Sequence, residues 1–150
     1  MTERPYEPLT NDLDGALLRQ PEGLGRRLGR LLSHICIVFE PTPLGRRIVV
    51  ERLKGRQEFP GEAWRNLGLE EESVARLLRI IANLDDLPNA NFVPRDSLLF
   101  VVRTARTEWL AEQIMERMED ELHTEVHALL SEALREDWSM GRFIQTALVK

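Results

Sequence analysis

Two histidines four residues apart, His123 and His127, stand in the acidic stretch ELHTEVHALL. If the stretch is helical, an advance of about 100° per residue puts Glu119, His123 and His127 on successive turns of one side. Two imidazoles at i and i+4 can reach one divalent ion. Glu119 would add an oxygen and leave a fourth position for water, the donor set of a catalytic zinc site. The rest of the pattern weighs against it. Ala111, Met115, Met118, Leu122, Val126 and Leu129 form the apolar stripe of such a helix, and both histidines fall on its wet side. The order is HTEVH rather than H-E-x-x-H, and Glu125, between the two, projects away from the pair, where it cannot activate a water. The sequence therefore favours a solvated face over a metal site and predicts no resident cofactor. Leu130 and Leu134 continue the side that carries His127, so His127, Leu130 and Leu134 are predicted as an interaction face. A helix over 107–137, capped by Thr107, would run about 45 Å, longer than a domain of this size needs. Dimerisation through it is the favoured expectation.

Basic residues offer a second kind of chemistry. Nine stand between Arg19 and Arg56 against three acidic ones, whereas 106–137 holds three arginines against ten acidic residues. Blocks of opposite sign can neutralise each other within the fold or recruit charged partners. Arg26, Arg27, Arg30, Arg46, Arg47, Arg52, Lys54 and Arg56 are the predicted partner or polyanion surface. Aromatic residues for stacking on bases are sparse among them, with Phe39 and Phe59 nearby.

The stretch WRNLGLEEESVARLLR, 64–79, resembles the core of a helix-turn-helix DNA-binding unit. Gly68 would be the turn glycine, Leu69 the turn hydrophobe, and Val74 and Leu77 inward residues of the second helix. The resemblance implies major-groove reading by that helix. Trp64 departs from the small residue the family places there. Glu70, Glu71 and Glu72 stand where phosphates would approach, and three carboxylates suit the positive end of an ordinary helix better.

Other nucleophile and ligand patterns are incomplete. Cys36, the single cysteine, sits in the apolar run ICIVF as a small hydrophobe would. Ser139 in DWSMG lacks the first glycine of a nucleophile elbow and suits a helix cap instead. The loop DDLPNANFVPRD has oxygen donors without the alternating spacing of a calcium loop.

The elements that would position these residues follow from periodicity. Residues 1–10, with Pro5 and Pro8, are expected to be a loosely held tail, and 11–150 a single domain. Helices are expected at 11–20 and 21–34. Strands are expected at 35–40 (ICIVFE) and 46–53 (RRIVVERL), joined as a hairpin by a turn with proline and glycine. Two helices hinged at Gly68 cover 62–84. SLLFVV reads as a strand buried on both faces. After the long helix, Met140, Phe143, Ile144, Ala147 and Leu148 share one face of a short docking helix. The predicted fold class is α+β: a small, largely antiparallel sheet of about three strands covered by helices.

The composition, 43% hydrophobic and 30% charged, excludes a disordered chain. Apolar runs of five residues exclude a membrane-spanning helix, and MTERPYEPLT has no signal region, so a cytoplasmic location is expected. The functional expectation is a non-catalytic protein-interaction module (adaptor, chaperone-like or regulatory) that is homodimeric. The alternatives are nucleic-acid or polyanion binding through the basic first half, and a metal-dependent enzyme using Glu119, His123 and His127.

Overall fold

The computed structural model describes residues 6–10, 43–107 and 109–149. The helices expected at 11–20 and 21–34, the strand at 35–40, Cys36, Arg26, Arg27 and Arg30 lie outside the described residues. Within them the expected sheet is absent. Among the described residues there are seven α-helices, and one bridge of β type joins Ser97 to Ser139.

Both described segments expected as strands are helical. Residues 46–53 lie inside α1 (Pro43–Gly55). Gly45, Val49 and Leu53 are its buried positions, four apart, so a helical period overrides the strand preference of Ile48, Val49 and Val50. SLLFVV forms α4 (Leu98–Arg103). Its cap is Ser97, whose Oγ accepts the Phe100 amide at 3.0 Å. Thr104 closes it by donating to the Phe100 carbonyl at 2.8 Å. A short unbroken apolar run has no period of its own, so burial on all sides suits a helix turn as well as a strand.

The hinged pair is as expected. α2 (Gly61–Arg65) and α3 (Glu71–Leu84) flank Gly68, whose φ of 76° lies in the left-handed region that glycine tolerates. α3 buries Val74, Leu77, Leu78 and Ile81 along one stripe and carries Glu71 and Glu72 in its first turn.

The long helix expected over 107–137 is two helices, α5 (Leu110–Leu122) and α6 (His127–Arg135). A straight rod would have left Leu130 on the side away from Met118. The break turns the second half so that Leu129, Leu130 and Ala133 all face inward. Thr107 sits ahead of the first helix and accepts the Trp109 amide at 3.1 Å.

α7 (Met140–Val149) follows, and Ser139 Oγ accepts the Arg142 amide at 3.2 Å, the cap expected of it. Met140, Phe143, Ile144 and Ala147 are buried, and Leu148 packs against the core. α3 packs on α5, α4 on α1 and α6, and α7 on α6.

Close approach fixes the start of α7. The Gly141 amide donates to the Pro94 carbonyl at 2.8 Å, and a Cβ on Gly141 would lie 2.9 Å from that same oxygen. Gly61 differs, because its hypothetical Cβ meets the carboxylate end of Glu71, which can swing away. We expect Gly141→Ala to cost about 1–3 kcal/mol and Gly61→Ala much less, measured by urea unfolding.

One buried carboxylate gathers distant parts of the chain. Asp96, fully buried, receives both Arg56 Nη1 at 2.6 Å and Arg56 Nη2 at 3.0 Å. The same carboxylate accepts the amides of Leu9 and Val93, each at 2.8 Å, and the Asp96 carbonyl accepts the Met140 amide. Residues 6–10, expected as a loose tail, are thereby tied to the core, with Leu9 at 0% exposure.

Candidate functional site

The residues singled out for metal binding are not arranged as a single helical face. His123 ends α5 in the left-handed conformation, with φ 52° and ψ 34°. The i, i+4 register between the histidines therefore does not exist. Glu119 Oε1 instead accepts the amides of Val126 at 2.9 Å and His127 at 3.2 Å. That places a carboxylate against the positive N-terminal end of α6, an electrostatically favourable cap. His127 turns to Met115, with Nδ1 2.9 Å from the thioether sulfur, which can only accept. Among the described residues no group of three or more histidine, cysteine or acidic side chains is placed to hold a metal ion. Left-handed geometry strains a residue with a Cβ, so His123→Gly is expected to raise unfolding stability by up to about 1 kcal/mol in urea.

The interaction face predicted at His127, Leu130 and Leu134 is largely internal. Leu130 is 4% exposed and Leu134 packs against the core, while His127 is exposed. α4 and α7 both pack against α6. The long rod that favoured dimerisation is absent.

Of the five described members of the predicted basic surface, three are paired within the fold. Arg46 donates to the Asp85 carboxylate at 2.8 Å and to its carbonyl at 2.7 Å. Arg52 pairs with Glu7, and Arg56 is buried on Asp96. Arg47 and Lys54 are exposed and have no partner among the described residues. Asp85 also accepts the Arg106 amide at 2.8 Å, and its side chain is only 2% exposed. Arg46→Glu therefore sets a carboxylate against a buried one. It is expected to cost about 3 kcal/mol or more in urea unfolding, beyond any effect on surface charge.

The stretch resembling a helix-turn-helix presents carboxylates at the N-terminal end of α3. Arg65 Nη1 donates to Glu71 at 2.7 Å, Ser73 to Glu70, and Arg76 lies 3.8 Å from Glu72. Trp64 fills the space between helices at 0% exposure, its Nε1 donating to the Phe92 carbonyl at 2.9 Å.

A groove of about 670 Å³ runs along α3, reaching these carboxylates at its N-terminal end. Its helical wall carries Glu71, Glu72, Ala75, Arg79, Ala82 and Asn83. Leu87 to Asn91, with Phe59, form the facing wall. Helical spacing puts Glu72, Ala75, Arg79 and Ala82 on one strip, and the two alanines make that strip shallow. Phe59, Leu87 and Ala90 supply the rest of the apolar lining. The facing wall is stiffened from behind. Asn89 Nδ2 donates to the Leu53 carbonyl at 2.7 Å, Asn91 Nδ2 to the Arg56 carbonyl at 2.6 Å, and the Asn91 amide to Asn89 Oδ1 at 3.0 Å.

Two polar groups in the groove differ from those of the scaffold. The side chains of Arg79 and Asn83, one turn apart on α3, are exposed and have no partner among the described residues. A guanidinium gives paired donors to a carboxylate, and a primary amide both donates to and accepts from a peptide group. Sequence inspection missed this site, because Arg79 and Asn83 look like ordinary residues of a wet helix face. The available signal was Ala75, half-buried between Glu72 and Arg79 on that same face, where long charged side chains are the rule. No protein-family profile, curated protein or solved structure matches this chain.

Proposed function

We propose that this chain is a non-catalytic protein-binding module that takes an extended segment of a partner protein into the groove along α3. The observation that carries the reading is a groove with an apolar lining in which the side chains of Arg79 and Asn83 have no partner among the described residues. The apolar lining from Ala75, Ala82, Phe59 and Ala90 suits small or aliphatic side chains. Asn83 would bond the peptide backbone, and Arg79 would receive an acidic side chain. A groove with a rigid wall keeps the ordering cost on the partner's side alone, which favours binding of a short segment.

Selection of a random peptide library against the purified protein tests this. Enriched peptides are expected to share an acidic residue and to compete with one another for one site. Arg79→Glu should weaken them about tenfold or more, the equivalent of about 1.4 kcal/mol for one charge pair reversed. Ala75→Trp, a half-buried position outside the core, fills the groove and should do the same while leaving the unfolding midpoint little changed. Peptides that bind both variants as tightly as the parent would place the binding surface elsewhere and overturn the proposal.

A further inference from the structure

Residues 6–10 are held as a bound peptide is held. The backbone of Leu9 is bonded on both sides: its amide to Asp96 Oδ1 at 2.8 Å and its carbonyl to the Ser97 amide at 2.7 Å. Its side chain is fully buried. Two residues earlier, the Glu7 carbonyl accepts Arg56 Nη2 at 2.8 Å, and the Glu7 carboxylate meets Arg52. The Tyr6 hydroxyl donates to the Glu58 carbonyl at 3.0 Å. Between them Pro8 has no amide to satisfy, and it biases Glu7 toward an extended backbone. Every contact a linear motif needs is present: backbone bonds that set its register, one deep side chain and one charge.

Part of the receiving side is held by bonds that do not involve this segment. Arg56 and Asp96 are forked on each other, and the Val93 amide and the Asn91 carbonyl hold them from the far side. Both also keep a bond for the segment: Arg56 Nη2 serves Glu7 as well as Asp96, and Asp96 Oδ1 serves Leu9 as well as Arg56. A cleft braced in this way, joined to a segment already biased to its bound shape, lowers the ordering cost of association.

We propose that the cleft of Arg52, Arg56, Glu58, Asp96 and Ser97 is a recognition site for a linear segment of the pattern aromatic–acidic–proline–leucine. In this structure the chain's own Tyr6, Glu7, Pro8 and Leu9 fill it, and a peptide carrying the same pattern takes their place in trans. The site adjoins the groove along α3 through Asn91 but uses different contact residues, and the two are tested by different peptides and variants.

The probe is a fluorescein-labelled peptide of residues 4–12, RPYEPLTND, followed by anisotropy. It is titrated into the full chain and into a full chain bearing Leu9→Asp, which cannot fill its own cleft. Saturable binding of one peptide per Leu9→Asp chain is expected, with at least about tenfold weaker binding to the parent, whose own segment competes. A peptide in which the leucine is alanine should bind at least about tenfold more weakly than the unmodified one. If the Leu9→Asp chain does not fold alone, refolding it with the peptide decides the question. Recovery of a cooperative unfolding transition supports the site, and no recovery overturns it. A folded Leu9→Asp chain that ignores the peptide, or a parent that binds it equally well, also overturns it.

Discussion

Asp96→Ala is expected to lower the free energy of unfolding by about 3–5 kcal/mol, a large share of the 5–15 kcal/mol typical of a domain. The carboxylate accepts four bonds: two from Arg56 and one each from the Leu9 and Val93 amides. Removing it leaves a guanidinium 1% exposed with no counter-charge, besides two amides without their acceptor. Arg56→Met should cost a comparable amount for the mirror reason, since Asp96 then keeps a buried charge with amide partners only. The double variant Arg56→Met, Asp96→Leu removes both charges. It should fall short of the sum of the single costs by at least about 1 kcal/mol, because each single variant pays for an isolated ion. Urea unfolding followed by far-UV circular dichroism measures all three. Strict additivity would mean that the two residues act independently, contrary to their forked geometry.

Trp64→Ala is the second large effect, with an expected cost of about 3–5 kcal/mol. The indole is fully buried among α2, α3 and the loop after α3, and its Nε1 donates to the Phe92 carbonyl. The five residues of α2 bring little helical stability of their own, so this side chain holds them in place. Trp64→Phe separates volume from hydrogen bonding. It keeps most of the apolar contact but leaves the Phe92 carbonyl without its partner, and about 1–3 kcal/mol is expected. Since the Phe92 loop continues into Asp96, both changes should also loosen residues 6–10, seen as faster amide exchange at Leu9.

How far these features were legible depends on how local their signals are. The stripe Val74, Leu77, Leu78 and Ile81 announces α3, and Gly68 its hinge, because both act within a few residues. Ser139 as a cap is local in the same way. Residues 46–53 and 98–102 misled because β-branched and aromatic residues favour strands on average. In 46–53 the decisive signal was Gly45, Val49 and Leu53 four apart, and in 98–102 it was the serine three residues ahead of Phe100. The break at His123 has no proline or glycine to mark it. It is made by a histidine in left-handed geometry and by Glu119 reaching forward to the next helix.

The candidate site was the least legible part. Arg46 meets Asp85, and Arg56 meets Asp96, across about forty residues of sequence, so the basic block looked like open surface when three of its members are paired within the fold. Opposite charges in a sequence do not say whether they face each other or a partner. The groove depends on two walls that only the fold brings together. The groups the proposal assigns to it, Arg79 and Asn83, stand out by lying one turn apart on a groove wall, which is a property of the structure and not of residue type.

The most direct test of the protein-binding account is a heteronuclear NMR titration of the labelled protein with a peptide selected against it. The account predicts amide shifts concentrated at Ala75, Arg79, Asn83 and Ala90, saturating at one peptide per chain and abolished by Arg79→Glu. Shifts confined to other surfaces, or the same pattern retained in Arg79→Glu, would contradict it.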